Sequence, residues 1–216
     1  MYKNFNPSDK ILIIDFGLGN FGSLINALEF LNFRTEIITN YKKIDIKKNF
    51  KGCILPGVGA FDNGMYSLRE RFLDKAIYEI AESGLKILGI CLGMQMLLES
   101  SQESESKCPG LGLIKGKVEL LDNSFAPVPN IGWNKTHSIK KTTNKFLDFD
   151  ILDGDFYYIH SYYAKTLYEN NSVAFFKHGN QKKTSVILKD NIMGVQFHPE
   201  KSQIAGLKLL RKYFGL

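Results

Sequence analysis

With 216 residues, 44% of them hydrophobic and 23% charged, the chain has the size and composition of one folded domain, expected to span 1–216. The net charge of +6 comes mainly from 24 scattered lysines; pairs such as Lys42-Lys43, Lys47-Lys48, Lys140-Lys141 and Lys182-Lys183 read as solvated faces, and no basic stretch is interleaved with aromatics as nucleic-acid binding would need. No run approaches the roughly eighteen apolar residues of a membrane span, and Met1 to Pro7 lacks a secretory signal, so a reducing cytoplasm is expected.

Ile11 to Phe16 is an apolar run of buried-strand type, followed by Gly17-Leu18-Gly19-Asn20 and a helix from about Phe21 to Leu31. Thr35 to Thr39 reads as a second strand and Gly52 to Pro56 as a third, with one helix from about Met65 to Glu82 behind it. Leu85 to Ile90 is the fourth strand and runs straight into the helix-like stretch Leu92 to Glu99. Continuous apolar strands alternating with helices predict a mainly parallel sheet covered on both faces. The polar stretch Ser100 to Cys108 reads as an exposed loop. Beyond Pro109 the pattern changes to short strands at Gly116–Leu121, Trp133–Ser138, Phe156–Ile159, Val173–Lys177, Thr184–Leu188 and Ile192–Phe197, then a last helix from Gln203 to Phe214. The expected fold is a single α/β domain whose second half adds antiparallel strands to a mixed, mainly parallel central sheet flanked by helices.

Gly89-Ile90-Cys91-Leu92-Gly93 places one cysteine where a strand turns abruptly into a helix, the geometry of a nucleophile elbow. Side chains two positions either side of such a corner would collide, which accounts for the glycines. A helix behind Cys91 would aim free N–H groups and a positive dipole end at the sulfur. Taken alone, the segment fits a buried structural thiol equally well. The other cysteines, Cys53 and Cys108, form neither a C-x-x-C nor a disulfide framework, and no metal or cofactor is expected.

Val195-Gln196-Phe197-His198-Pro199-Glu200 supplies the natural partner. Pro199 biases His198 toward extended backbone, where side chains two apart share a side, so His198 and Glu200 can face one site as base and orienter. By itself this stretch is also an ordinary strand-to-helix connection. Pro56-Gly57-Val58-Gly59-Ala60-Phe61 ends the third strand, and its glycines would let backbone N–H groups approach an oxyanion; a plain turn is the alternative. Neither a phosphate-binding G-x-x-x-x-G-K-[ST] nor a full dinucleotide fingerprint is present. All three elements sit at the carboxyl ends of parallel strands, where open α/β sheets bind ligands.

The elbow, Gly89 to Gln95, together with Gln196-Phe197-His198-Pro199-Glu200, closely resembles the class I, triad-type glutamine amidotransferases. Asp15 to Asn20, Pro56 to Phe61, Ile131-Gly132-Trp133-Asn134 and Ile159-His160-Ser161-Tyr162 narrow the resemblance to the glutaminase subunits of imidazole glycerol phosphate synthases, over about Ile11 to Phe214. The resemblance implies a Cys91–His198–Glu200 triad and an oxyanion hole from Leu92 and the Val58-Gly59 loop, with a peptide flip in that loop. It also implies glutamine contacts from Gly57, Gln95, Ser161 and Tyr162. Released ammonia would pass to a docked (β/α)8-barrel cyclase in a heterodimer, with Asn130, Trp133 and Asn134 at the interface.

One position departs from the family pattern. Asn130 stands where the family usually has histidine, just before the Gly-Trp-Asn stretch. This keeps open a paralogous role, supplying ammonia to a sugar amidotransferase that builds acetamidino groups of surface glycans. A γ-glutamyl hydrolase acting alone and an inactive regulatory subunit are further readings; the intact Cys91, His198 and Glu200 speak against the last.

Overall fold

The structure, a computed structural model, describes residues 10–19, 21–41, 50–139 and 149–215; Asn20 and the lysine pairs at 42–43, 47–48 and 140–141 lie outside them. Strands β1 (Lys10–Ile14), β2 (Arg34–Ile38), β3 (Phe50–Gly57) and β4 (Ile87–Cys91) alternate with helices α1 (Gly22–Phe30), α2 (Phe61–Glu70) and α3 (Leu73–Glu82). Helix α4 (Leu92–Met96) follows β4 without a break. The second half contributes β5 (Ser100–Ser101), β6 (Gly116–Leu120), β7 (Asn130–Ser138), β8 (Gly154–His160) and β9 (Tyr162–Thr166). Strands β10 (Ser172–His178), β11 (Gln181–Lys189) and β12 (Ile192–Val195) and helix α5 (Gln203–Phe214) complete it.

Among the described residues, nine strands form one sheet in the order β2-β1-β3-β4-β12-β11-β10-β7-β8, and β5-β6-β9 form a small second one. The first five of that order run parallel, while β11, β10, β7 and β8 join by antiparallel pairing. The expected mixed sheet is thus observed. The chain's last strand, β12, pairs antiparallel with β11 and inserts parallel beside β4, bringing the His-Pro-Glu segment next to the elbow.

Alternation along each parallel strand divides the core between two faces. Ile11, Ile13, Leu88 and Ile90 pack with α1 and with Leu209, Leu210, Tyr213 and Phe214 of α5, while Leu12, Ile14, Leu55 and Ile87 pack with α2, α3 and α4. Burial on both faces explains why these strands read as unbroken apolar runs. On the antiparallel side, Phe156 and Phe197 stack at 3.9 Å, and the buried Tyr158 hydroxyl bonds Ser185 and Thr136.

Three expectations need correction. The long helix from Met65 to Glu82 is two helices, because Phe72 adopts a left-handed φ of 55° between them. Each helix presents its own apolar stripe to the sheet; Leu73, Ala76, Ile77 and Ile80 are the buried face of α3. The helix after Cys91 ends at Met96, about one turn long, so it contributes local N–H groups more than a macrodipole. The segment expected as an exposed loop is tied down: Ser100 and Ser101 pair with β6, Glu103 accepts the Phe61 N–H at 2.8 Å, and Cys108 is buried.

Candidate active site

Strand register assembles the site. Pro56 of β3, Ile90 of β4 and Val195 of β12 lie abreast in one row, so Gly57, Cys91 and Gln196 emerge together at the carboxyl ends of three adjacent strands. Cys91 sits at the corner with φ 53° and ψ −109°, a conformation costing on the order of 1–3 kcal/mol for a residue with a side chain. The turn is closed by backbone. A Cβ on Gly93 would lie 1.7 Å from the Leu55 carbonyl oxygen, and one on Gly89 would lie 2.8 Å from the Gly93 carbonyl oxygen. Leu92 supplies the first amide of α4, which has no acceptor within its own helix.

His198 and Glu200 come together as the sequence predicts. His198 Nδ1 and Glu200 Oε1 are 2.8 Å apart, and both side chains are almost fully buried. His198 Nε2 is buried without a hydrogen-bond partner among the described residues. Burial works against charging the ring, but the neighbouring Cys91 sulfur and the Glu200 carboxylate outweigh it and push His198 up to about 9. No hydrogen bond closes between Nε2 and the sulfur; Cys91 Sγ instead lies 3.9 Å from the Ile159 carbonyl and receives Gln196 Nε2 at 3.7 Å.

Cys91 opens onto a cavity of about 310 Å³ lined by Val58, Gly59, Leu92, Gln95 and Glu103 on one side and by Pro129 and Ile159 to Tyr162 on the other. That volume suits a small metabolite. Gln95, Ser161 and Tyr162, expected at the substrate, all line it. Gly57 does not; it lines a separate crevice of about 20 Å³ with Val58, His198 and Glu200. Of the expected oxyanion donors, Val58 N–H is already engaged by the Leu18 carbonyl at 3.3 Å. Gly59 adopts φ 109°, a left-handed backbone that favours glycine, and a Cβ built there would meet nothing within 4 Å.

Strand alternation separates the three residues expected at a partner interface. Asn130 and Asn134 share the face of β7 that meets His160: Asn134 Nδ2 donates to Asn130 Oδ1 at 3.1 Å, and Asn130 Nδ2 lies 2.9 Å from His160 Nε2. Trp133 projects from the opposite face, half exposed, with its ring edge against Tyr157. Ile131 and Ile159, cross-strand partners on that face, are also exposed.

Two side chains beside the cysteine escape the sequence reading. Glu103 brings a carboxylate to the cavity from the supposed loop; burial raises it above the usual range, and the Phe61 N–H partly offsets that. Nothing local in the sequence marks it. Gln196 was legible in principle, since period-2 spacing puts it on the same side as His198 and Glu200. Among the described residues no cluster of His, Cys, Asp and Glu is arranged to hold a metal, and no helix is long and apolar enough to cross a membrane.

Residues 12–214 match the family described as Glutamine amidotransferase class-I. The chain is 43% identical over 209 residues to the imidazole glycerol phosphate synthase subunit HisH of Sulfurimonas denitrificans, covering 94% of this chain and 96% of that protein. It is 43% identical over 205 residues to the HisH subunit of Listeria innocua, with 94% of each covered, and 39% identical over 209 residues to that of Leptospira interrogans, covering 94% and 98%. Among solved structures, a chain of PurLQS from Thermotoga maritima superposes with TM-score 0.72 at 20% identity, covering 94% of this chain and 96% of that one. A crystal structure of a glutamine amidotransferase does so with TM-score 0.69 at 17% identity and the same coverage. At those identities the structures speak to fold alone, but the sequence match spans nearly the whole chain: the protein belongs to the class-I glutamine amidotransferases.

Proposed function

We propose that this chain hydrolyses glutamine to glutamate and ammonia at Cys91 and passes the ammonia to a (β/α)8-barrel cyclase, as the glutaminase subunit of an imidazole glycerol phosphate synthase in histidine biosynthesis. The whole chain, 1–216, acts as one amidotransferase domain. The observation that carries the chemistry is a strained Cys91 facing the cavity, with a buried, Glu200-held His198 whose Nε2 has no hydrogen-bond partner among the described residues. Full-length similarity to HisH subunits supports the pathway.

In this reading, glutamine enters with its side-chain amide at Cys91 and its amino-acid end toward Gln95, Ser161, Tyr162 and the Glu103 carboxylate. Held up to about 9, His198 is already the imidazolium near neutrality, stabilised by Glu200, and the Cys91 sulfur, its proton resting on His198 Nε2, attacks the amide carbon. The oxyanion of the tetrahedral intermediate takes the Leu92 N–H and an N–H of the Val58-Gly59 loop, which must first leave Leu18. His198 returns the proton to the departing nitrogen, the C–N bond breaks and ammonia leaves a thioester. Water, deprotonated by His198, then attacks the thioester; the C–S bond breaks, and glutamate and the free thiol are restored.

Ammonia released into solvent would be protonated and lost, so a synthase must cover the site. The exposed apolar residues Ile131, Trp133 and Ile159, with Val58 at the cavity rim, offer it a docking surface. Asn130 bonds inward to His160 and Asn134. Its departure from histidine therefore reads as an internal adjustment, which favours the histidine-pathway partner over a sugar amidotransferase. The test is glutamate release by the chain with and without its co-purified barrel subunit. Cys91→Ala should lower it at least about a thousandfold; unchanged turnover would remove Cys91 from the chemistry.

A further inference from the structure

Gln196 is completely buried, one residue beyond the row that pairs Val195 with Ile90, and so lies alongside Cys91. Its Nε2 donates to Cys91 Sγ at 3.7 Å, and its Oε1 accepts from Gln95 Nε2 at 3.2 Å. Gln95 Nε2 also donates to the Tyr162 carbonyl at 3.2 Å.

This chain of amides can be satisfied in one direction only. A backbone carbonyl is purely an acceptor, so the Tyr162 oxygen fixes which end of Gln95 carries the hydrogens. Those hydrogens require an acceptor from Gln196, which turns the Gln196 nitrogen toward the sulfur. Flipping either amide would bring donor to donor or acceptor to acceptor inside a buried site, where each unmade bond costs most. His160 strengthens the anchor. Burial lowers it to about 4, so it is neutral near pH 7; Nδ1 lies 2.8 Å from the same Tyr162 oxygen as donor, and Nε2 is left to accept from Asn130. Both Gln95 hydrogens being engaged, its oxygen is the atom left for a ligand in the cavity.

We propose that Gln196 is a positioning residue for the glutaminase reaction: it holds an N–H donor on the Cys91 sulfur, favouring the thiolate, and fixes Gln95 so that its oxygen receives an N–H of the substrate. The alternative is a polar side chain that merely fills space between β4 and β12. The inference rests on Cys91 being the nucleophile, and the two can fail separately.

The experiment compares Gln196→Glu and Gln196→Met with wild type, measuring both glutamine turnover and the rate at which iodoacetamide alkylates Cys91, read by mass spectrometry. Gln196→Glu keeps an acceptor for Gln95 but takes the donor from the sulfur. Its KM should stay within about twofold of wild type while kcat and the alkylation rate fall about tenfold or more. Gln196→Met removes both contacts and should raise KM as well as slow alkylation. Cys53 and Cys108, buried in the folded chain, serve as internal controls: their alkylation would report unfolding, and the comparison then rests on the variant in which they stay protected. Cys91 alkylation within twofold of wild type in the folded variants overturns the proposal. Wild-type Cys91 that is no more reactive than Cys53 and Cys108 instead overturns the nucleophile reading beneath it.

Discussion

The two halves of the sheet build their share of the cavity by different means. In the parallel half, β3, β4 and β12 stop at one level, and the row Pro56, Ile90, Val195 sets the positions of Gly57, Cys91 and Gln196. Placement there is a matter of register, fixed by a core buried on both faces. In the antiparallel half, Ile159 to Tyr162 span the junction at Ser161 between β8 of the large sheet and β9 of the small one, and carry the opposite wall. Its outer face keeps Ile131, Trp133 and Ile159 exposed. The first half fixes its cavity residues by strand register, and the second leaves an apolar outer face exposed.

The most severe way to break that contrast is inside the elbow. Gly93→Ala puts a methyl group into the Leu55 carbonyl oxygen, a backbone atom that cannot step aside. A loss of about 3 kcal/mol or more is expected, seen as a large fall in the thermal midpoint or as insoluble protein. A substitution as stable as wild type would mean that the strand-to-helix corner is not rigid.

Next in size is Glu200→Gln, which leaves the fold intact and acts on His198. Turnover of glutamine should fall about a hundredfold. His198 is held up at about 9, above its ordinary 6.5, so its protonation stabilises the folded chain fully below 6.5 and ceases to do so as pH rises through 9. Thermal midpoints measured across that window should therefore decline, and the decline should be shallower in Glu200→Gln. Equal slopes would argue that Glu200 does not hold the imidazolium.

On the antiparallel side, Trp133→Ala should leave stability and partner-free glutaminase activity nearly unchanged. Affinity for the barrel subunit should fall by about 2 kcal/mol, roughly thirtyfold in Kd by titration calorimetry. A loss of stability with unchanged affinity would turn Trp133 back into a packing residue. The smallest effect concerns Phe72, half exposed at φ 55°. Phe72→Gly relieves a left-handed backbone and should raise unfolding free energy by up to about 1 kcal/mol in urea titration, less whatever its contact with Lys75 contributes.

The parallel half was the more legible in the sequence because its signals are local: unbroken apolar strands, glycines at a corner, proline after histidine. The elbow and the His198–Glu200 pair were visible that way, while Gln95 was reached only through the family resemblance. The break at Phe72 was not, since no glycine or proline marks it and each half-helix alone has a normal apolar stripe. Strand β9 was missed because Tyr162 to Thr166 lacks strict alternation and is defined by its pairing with β6. Gln196 touches the sulfur only because β12 inserts beside β4, and that adjacency depends on strand order. Trp133 and Asn134 were grouped by sequence proximity, whereas the pleat sends them to opposite faces.

Trp133 is the one tryptophan in the chain, half exposed on the outer face of β7. Indole emission shifts to the blue when water leaves the ring, so red-edge excitation addresses this single side chain above the ten tyrosines. The unlabelled protein thus carries an optical probe on the surface proposed for its partner. Stopped-flow mixing with the barrel subunit can time the approach of the two proteins separately from the arrival of glutamine at Cys91.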